Sequence, residues 1–193
     1  MGTGKGVPGS IPHIVLIGFA SCGKSTIGRI LARLLKLPFI DLDRRVEQLY
    51  ESNRGVKKRC REIFIENGEK AFGELERNAL SALESEGSAV LATGGGAPLR
   101  EGNDVILNRM GAIIYLEAEP EVIFQRMEHK GLPAWLRDDP TVEGVRKVYR
   151  MRDKVYSRIA DVKIETTSLT PEQAVQAIID ALERNNYFAD KGM

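Results

Sequence analysis

Nine consecutive residues, Gly18-Phe19-Ala20-Ser21-Cys22-Gly23-Lys24-Ser25-Thr26, fit the spacing G-x-x-x-x-G-K-[ST], and each residue type in it has a chemical use. The two glycines admit backbone angles that a Cβ would block, so consecutive N–H groups can face a polyphosphate. Lys24 supplies the cation for the β- and γ-phosphates, and Ser25 the hydroxyl for a magnesium ion. Thr26 is either a further phosphate contact or a plain helix residue. Gly18, Ala20, Ser21, Cys22, Gly23, Lys24, Ser25 and Thr26 are therefore the candidate nucleotide-binding set, and the ligand class is a nucleoside triphosphate with Mg2+. The alternative is a glycine-rich turn before an ordinary helix, which leaves the agreement of the surrounding pattern unexplained.

Two further groupings carry chemistry. In Asp41-Leu42-Asp43, carboxylates two residues apart at a strand end share a side. Such a pair suits a Mg2+ shell and acceptance of a hydroxyl proton; Asp43 is equally well placed to cap a following helix. The run Ala89-Val90-Leu91-Ala92-Thr93 leads into Gly94-Gly95-Gly96. Three glycines after an apolar strand let the backbone approach a ligand closely.

The elements around these residues alternate. Strand-like runs cover 14–17, 38–41, 89–93, 112–117 and 162–166. Helical patterns cover 24–36, 43–51, 69–86, 119–128, 141–157 and 171–184. Such alternation predicts an α/β fold with a parallel sheet covered on both faces, and ligands then gather at the carboxyl ends of the strands. The phosphate loop, the acidic pair and the triple glycine each follow a strand. Two stretches break the alternation: 52–68, basic in its first half, and 128–140, with Gly131, Pro133, Trp135 and Pro140. Segments of that kind carry substrate contacts or act as lids, or are a solvated surface loop or short helix. His13 and His129 read as structural or exposed residues.

The chain has 193 residues with 28 Lys and Arg against 27 Asp and Glu. That size suits a single domain, and the charge balance gives no field for nucleic acid or an anionic membrane. Two cysteines, Cys22 and Cys60, make neither a disulfide framework nor a metal spacing, which is the pattern of a reducing cytoplasm. No apolar run approaches the ~18 residues of a membrane span. Residues 1–12 and 188–193 read as tails, the first disordered or a cloning remnant.

The ordered set of motifs resembles the shikimate kinase family. Its carriers are Gly18 to Thr26 with Ile27-Gly28, Phe39-Ile40-Asp41-Leu42-Asp43, Gly68-Glu69-x-x-Phe72 with Glu76, Thr93 to Ala97, and Arg152-x-x-x-Tyr156. The resemblance implies a P-loop kinase fold with a five-stranded parallel sheet over 13–187, an acceptor-binding insert near 43–76 and a lid near 126–140. It implies a monomeric cytoplasmic enzyme that moves a phosphoryl group from ATP, with Mg2+, to a hydroxyl of a small acid, shikimate first among them. By the same resemblance Asp43 meets the acceptor hydroxyl, Asp41 sits in the Mg2+ shell, Gly95 and Gly96 form the acceptor turn, Arg152 grips the acceptor carboxylate and Arg126 packs on adenine. The chain departs from the family where an arginine after Phe72 is replaced by Gly73, and where Leu132 stands before Pro133 in the lid. Arg54, Arg59 or Arg61 are the candidates to replace the first arginine, and Arg137 the second. The departures leave two alternatives: a kinase for another hydroxy acid or sugar acid, or a nucleotide-binding regulator that has lost transfer.

Overall fold

The structure, a computed structural model, describes residues 13–187; the tails read from the sequence lie outside the described residues. Five strands form one parallel sheet in the order β2-β3-β1-β4-β5: β1 (His13–Ile17), β2 (Phe39–Asp41), β3 (Val90–Ala92), β4 (Gly111–Glu117) and β5 (Val162–Glu165). Every residue of β1 and β3 is buried, so both faces of the sheet are covered, which is why these strands read as unbroken apolar runs.

Seven α-helices supply the cover: α1 (Lys24–Leu35), α2 (Leu42–Arg54), α3 (Cys60–Glu84), α4 (Asn103–Met110), α5 (Pro120–Lys130), α6 (Val142–Ile159) and α7 (Pro171–Arg184). α1 packs against α7, and α3 packs against α4. α1 buries Ile27 and Leu31, four residues apart on one stripe. α7 is opened by a reciprocal cap, with Thr170 accepting from the Gln173 N–H and the Gln173 side chain accepting from the Thr170 N–H.

The helices differ from the sequence expectation in two places. α4 was not anticipated. It has eight residues and no side-chain cap, and is held by Ile106, Leu107 and Met110, all buried. α3 begins at Cys60 rather than near Glu69, because two helical pieces abut across Gly68, whose φ of 77° and ψ of 175° are not helical. The first piece is stabilised from outside itself. Glu47 of α2 accepts from the Cys60 N–H at 3.2 Å and from Arg59 Nη1 at 3.1 Å, and Glu62 accepts from the Arg59 N–H at 2.8 Å.

Candidate active site

The loop after β1 is shaped by backbone rather than side chains. Gly18 (φ 141°), Ser21 (φ 63°) and Gly23 (φ 109°) all have positive φ, the kind of backbone that can turn successive N–H groups into an anion-binding hollow. Gly18 is required for a second reason: a Cβ there would stand 2.5 Å from the Leu116 carbonyl oxygen. The first turn of α1 contains no acidic side chain of its own, and its N-terminal dipole faces the hollow. Lys24 is 8% exposed and its Nζ donates to the carbonyls of Gly18 and Phe19, both at 2.8 Å. A buried ammonium held by carbonyls, with no ion pair among the described residues, is suited to receive an anion. Ala20 is half-buried, Cys22 buried and Thr26 exposed at the helix start.

The acidic strand end points toward this hollow. Ser25 Oγ donates to Asp41 Oδ2 at 3.1 Å, so the two side chains expected at a metal meet each other directly. Asp41 stands at the N-cap of α2 and Asp43 in its first turn, and no side chain caps the helix; capping is therefore not what Asp43 does. Its carboxylate lies against Gly94, where a Cβ would stand 2.6 Å from Asp43 Oδ1. Asp43 is exposed at the mouth of the cleft, with neighbouring protein taking the place of part of its hydration. Loss of hydration there raises its pKa above the ordinary carboxylate range, repulsion from Asp41 adds to the rise, and Lys24 opposes it.

The third glycine-bearing turn closes the cleft. Tyr156 Oη donates to the Gly95 carbonyl at 2.6 Å, fixing that turn from α6. One helical turn earlier, Arg152 lies along the same wall; a Cβ at Gly95 would stand 3.6 Å from its Nη1. The Arg152 guanidinium lies against both Phe19 of the phosphate loop (5.2 Å to the ring centroid) and Trp135 (5.3 Å), two rings that themselves meet edge-on at 5.3 Å. The cleft between these parts measures about 1010 Å³ and includes Asp43, Gly94 to Gly96, Arg152, Trp135, Arg61 and Arg100 in its lining.

The sequence candidates thus fall into two groups. The phosphate loop, Asp41, Asp43, Gly95, Gly96 and Arg152 converge. Arg126 lies half-buried on α5, outside the cleft lining, and Arg137 is exposed and also outside it. Of the replacements for the arginine absent at 73, Arg59 is engaged with Glu47, Arg54 is exposed at the end of α2 away from the lining, and only Arg61 reaches the rim. The sequence reading missed Arg100, four residues past Gly96, which lines the cleft beside Gly73 and ion-pairs through Nε with buried Glu76. No motif marks it; its proximity to Gly73 exists only in the fold.

A parallel sheet with a phosphate loop after its central strand, flanked by an acidic strand end and an acceptor-sized cleft, defines a P-loop kinase. Comparison with known proteins narrows the class. A family model described as shikimate kinase matches residues 20–183. The shikimate kinase of Pseudomonas paraeruginosa is 37% identical over 173 residues, spanning 89% of this chain and 96% of that protein. Among solved structures, a shikimate kinase from Acinetobacter baumannii in complex with shikimate superposes with a TM-score of 0.79 at 32% identity, covering 91% of this chain and 94% of that one. One from Bacteroides thetaiotaomicron gives a TM-score of 0.78 at 32% identity, covering 89% and 98%. The chain belongs to the shikimate kinase family, ATP-dependent kinases that phosphorylate a hydroxyl.

Proposed function

We propose that this chain transfers the γ-phosphoryl group of ATP to a hydroxyl of shikimate. The observation that carries the reading is the position of Asp43: its carboxylate rests on Gly94, at the edge of the phosphate loop and inside the cleft that Arg152 lines. Phosphoryl transfer asks a protein mainly for positioning and charge stabilisation. Lys24 would leave its carbonyl partners for the β- and γ-oxygens. Asp43 orients the acceptor hydroxyl and accepts its proton, a task favoured by a pKa above the ordinary carboxylate range. Ser25 and Asp41 fit a magnesium ion; when bound, it neutralises phosphate charge. No cluster of three metal-ligating side chains exists among the described residues, which is consistent with Mg2+ arriving with the nucleotide and retaining waters.

Residues 43–76 form the acceptor-binding segment in this reading and 126–140 the lid, with Arg126 against adenine and Gly95 and Gly96 under the acceptor. Trp135 then closes on Phe19 and Arg152 where an arginine would otherwise reach the phosphate. The enzyme acts as a cytoplasmic monomer without nucleic acid; a formal net charge of +1 and the lack of any helix among the described residues long and apolar enough to cross a membrane are consistent with that. The test is ADP release with shikimate and, in parallel, a panel of hydroxy acids and sugar acids. Turnover of shikimate that disappears in Lys24→Ala and in Asp43→Ala supports the reading. Turnover of a different acid reassigns the acceptor, and nucleotide binding without turnover of any acid makes the protein a regulator.

A further inference from the structure

Gly73 and Arg100 occupy one space. A Cβ at Gly73 would stand 3.1 Å from Arg100 Nη1, 3.3 Å from its Cδ and 3.5 Å from its Cζ, so any longer side chain at 73 would claim the volume that the Arg100 guanidinium fills. Arg100 comes from the turn after β3, whereas Gly73 lies on α3; Arg77 of α3 donates to the Glu101 carbonyl, so the charge reaches this spot from a neighbouring turn packed on the same helix. It is held there on two sides. Nε donates to Glu76, a residue 3% exposed, and the guanidinium carbon sits 5.7 Å from the Phe72 ring centroid. Nη1 is 3.5 Å from Glu69, whose side chain is largely in solvent, and Nη2 has no hydrogen-bond partner among the described residues.

With Nε anchored on Glu76 and Nη1 only in a long ion pair with solvent-exposed Glu69, the outer edge can receive a planar anion on Nη2 and, by displacing Glu69, on Nη1. Arg100 lines the same cleft as Asp43 and Gly94 to Gly96, and Arg152 is a second cation in that lining. Arg61, the remaining candidate, is exposed at the rim and has no comparable anchoring. We propose that Arg100 is a specificity-determining residue of this chain: it binds the carboxylate of the acceptor, from the space that Gly73 leaves open, together with Arg152. The proposal deepens the reading of the site as that of a small-acid kinase and rests on it.

The test uses the full chain with Arg100→Ala, Arg100→Lys and the transposed pair Gly73→Arg/Arg100→Ala. It measures KM for shikimate and for ATP, and binding of shikimate beside its methyl ester, which lacks the charge. Losing one charged hydrogen-bonding partner raises the shikimate KM of Arg100→Ala roughly 10- to 100-fold, with the ATP KM within about twofold. The preference for the free acid over the ester shrinks by a similar factor. Arg100→Lys retains part of both, and the transposed arginine restores most of both. Should Arg100→Ala fail to fold, the lysine variant and the transposed pair carry the same readouts. An unchanged acid-over-ester preference overturns the proposal. So does a loss that the transposed arginine fails to recover, which would mean that Arg100 only props Glu76. Wild-type protein that binds shikimate without turning it over sinks the kinase reading instead, and the ester comparison still decides the role of Arg100.

Discussion

Replacing Gly94 with alanine tests whether the position of Asp43 governs transfer. The added methyl would stand 2.6 Å from Asp43 Oδ1 and 3.5 Å from its Cγ, against about 3.4 Å for ordinary contact. The carboxylate must therefore retreat by roughly 0.8 Å. Catalytic groups tolerate about 0.5 Å of misplacement, and a 1 Å error costs on the order of 10²-fold in rate. The expected outcome is a kcat lowered by roughly 30- to 100-fold. The ATP KM should hardly move, because the phosphate loop is built by Gly18 to Lys24 and Gly94 makes no part of it. Thermal stability should stay near wild type, since a short side chain can rotate away without moving backbone and alanine restricts the unfolded chain. Gly87→Ala is the control: nothing lies within 4 Å of its Cβ position, so it reports the general effect of removing a glycine. Steady-state kinetics with ADP release, and a melting curve for each variant, complete the experiment. A Gly94→Ala enzyme with kcat within threefold of wild type would refute the reasoning, as would an equal loss in Gly87→Ala.

Two other outcomes follow from charge. Asp43→Asn should lower turnover by about 10²- to 10⁴-fold while slightly raising the melting temperature at neutral pH. The folded state raises the Asp43 pKa, so ionising this group opposes folding as pH rises through that pKa, and an amide relieves the opposition; the gain is small because the carboxylate still reaches water, and a lower melting temperature would contradict it. His13 works in the other direction. Burial lowers its pKa from 6.5, only partly offset by backbone hydrogen bonds, and its Nδ1 has no hydrogen-bond partner. The neutral ring is favoured by the fold, so its contribution to stability is complete above pH 6.5 and is lost as pH falls below that value. Melting curves between pH 7.5 and pH 5 should therefore fall more steeply for wild type than for His13→Asn; parallel curves would exclude the histidine as the cause.

The sheet was legible because buried parallel strands are apolar throughout, and Val90 to Ala92 or Ile14 to Ile17 leave little choice of period. The helices were legible where they carry their own amphipathic stripe, as α1 and α7 do. α4 was not, since eight residues give hardly two turns of pattern and its apolar face is defined by what packs on it. The opening of α3 was hidden by its basic composition. Around Lys58, Arg59 and Arg61 the sequence left substrate contacts, a lid, a surface loop and a short helix all open, and the partners that order it, Glu47 on α2 and Glu66 within α3, became visible only in the fold. In the same way, His13 opens the first strand and carries no signal of burial in its own neighbourhood; the strand's central place in the sheet confers it.

The two halves of the site were unequally readable for a physical reason. The nucleotide half is made by backbone in nine adjacent residues, so its geometry requires particular residues at particular spacings and leaves a motif behind. The cleft beside it is lined by side chains from α2, α3, the turn after β3 and α6. What matters there is where a guanidinium ends, not where its Cα begins. A long flexible arm can bring the same charge from a neighbouring element, provided that element's neighbour yields the volume. Gly73 and Arg100 satisfy that condition together: the small residue is the vacancy and the large one its occupant. Seen along the chain, the glycine reads as a lost contact and the arginine as a loop residue. Seen in the cleft, a cation is still present near the hydroxyl acceptor's expected seat, anchored by Glu76. Inferring lost activity from a missing arginine in the sequence would thus confuse the address of a charge with its location.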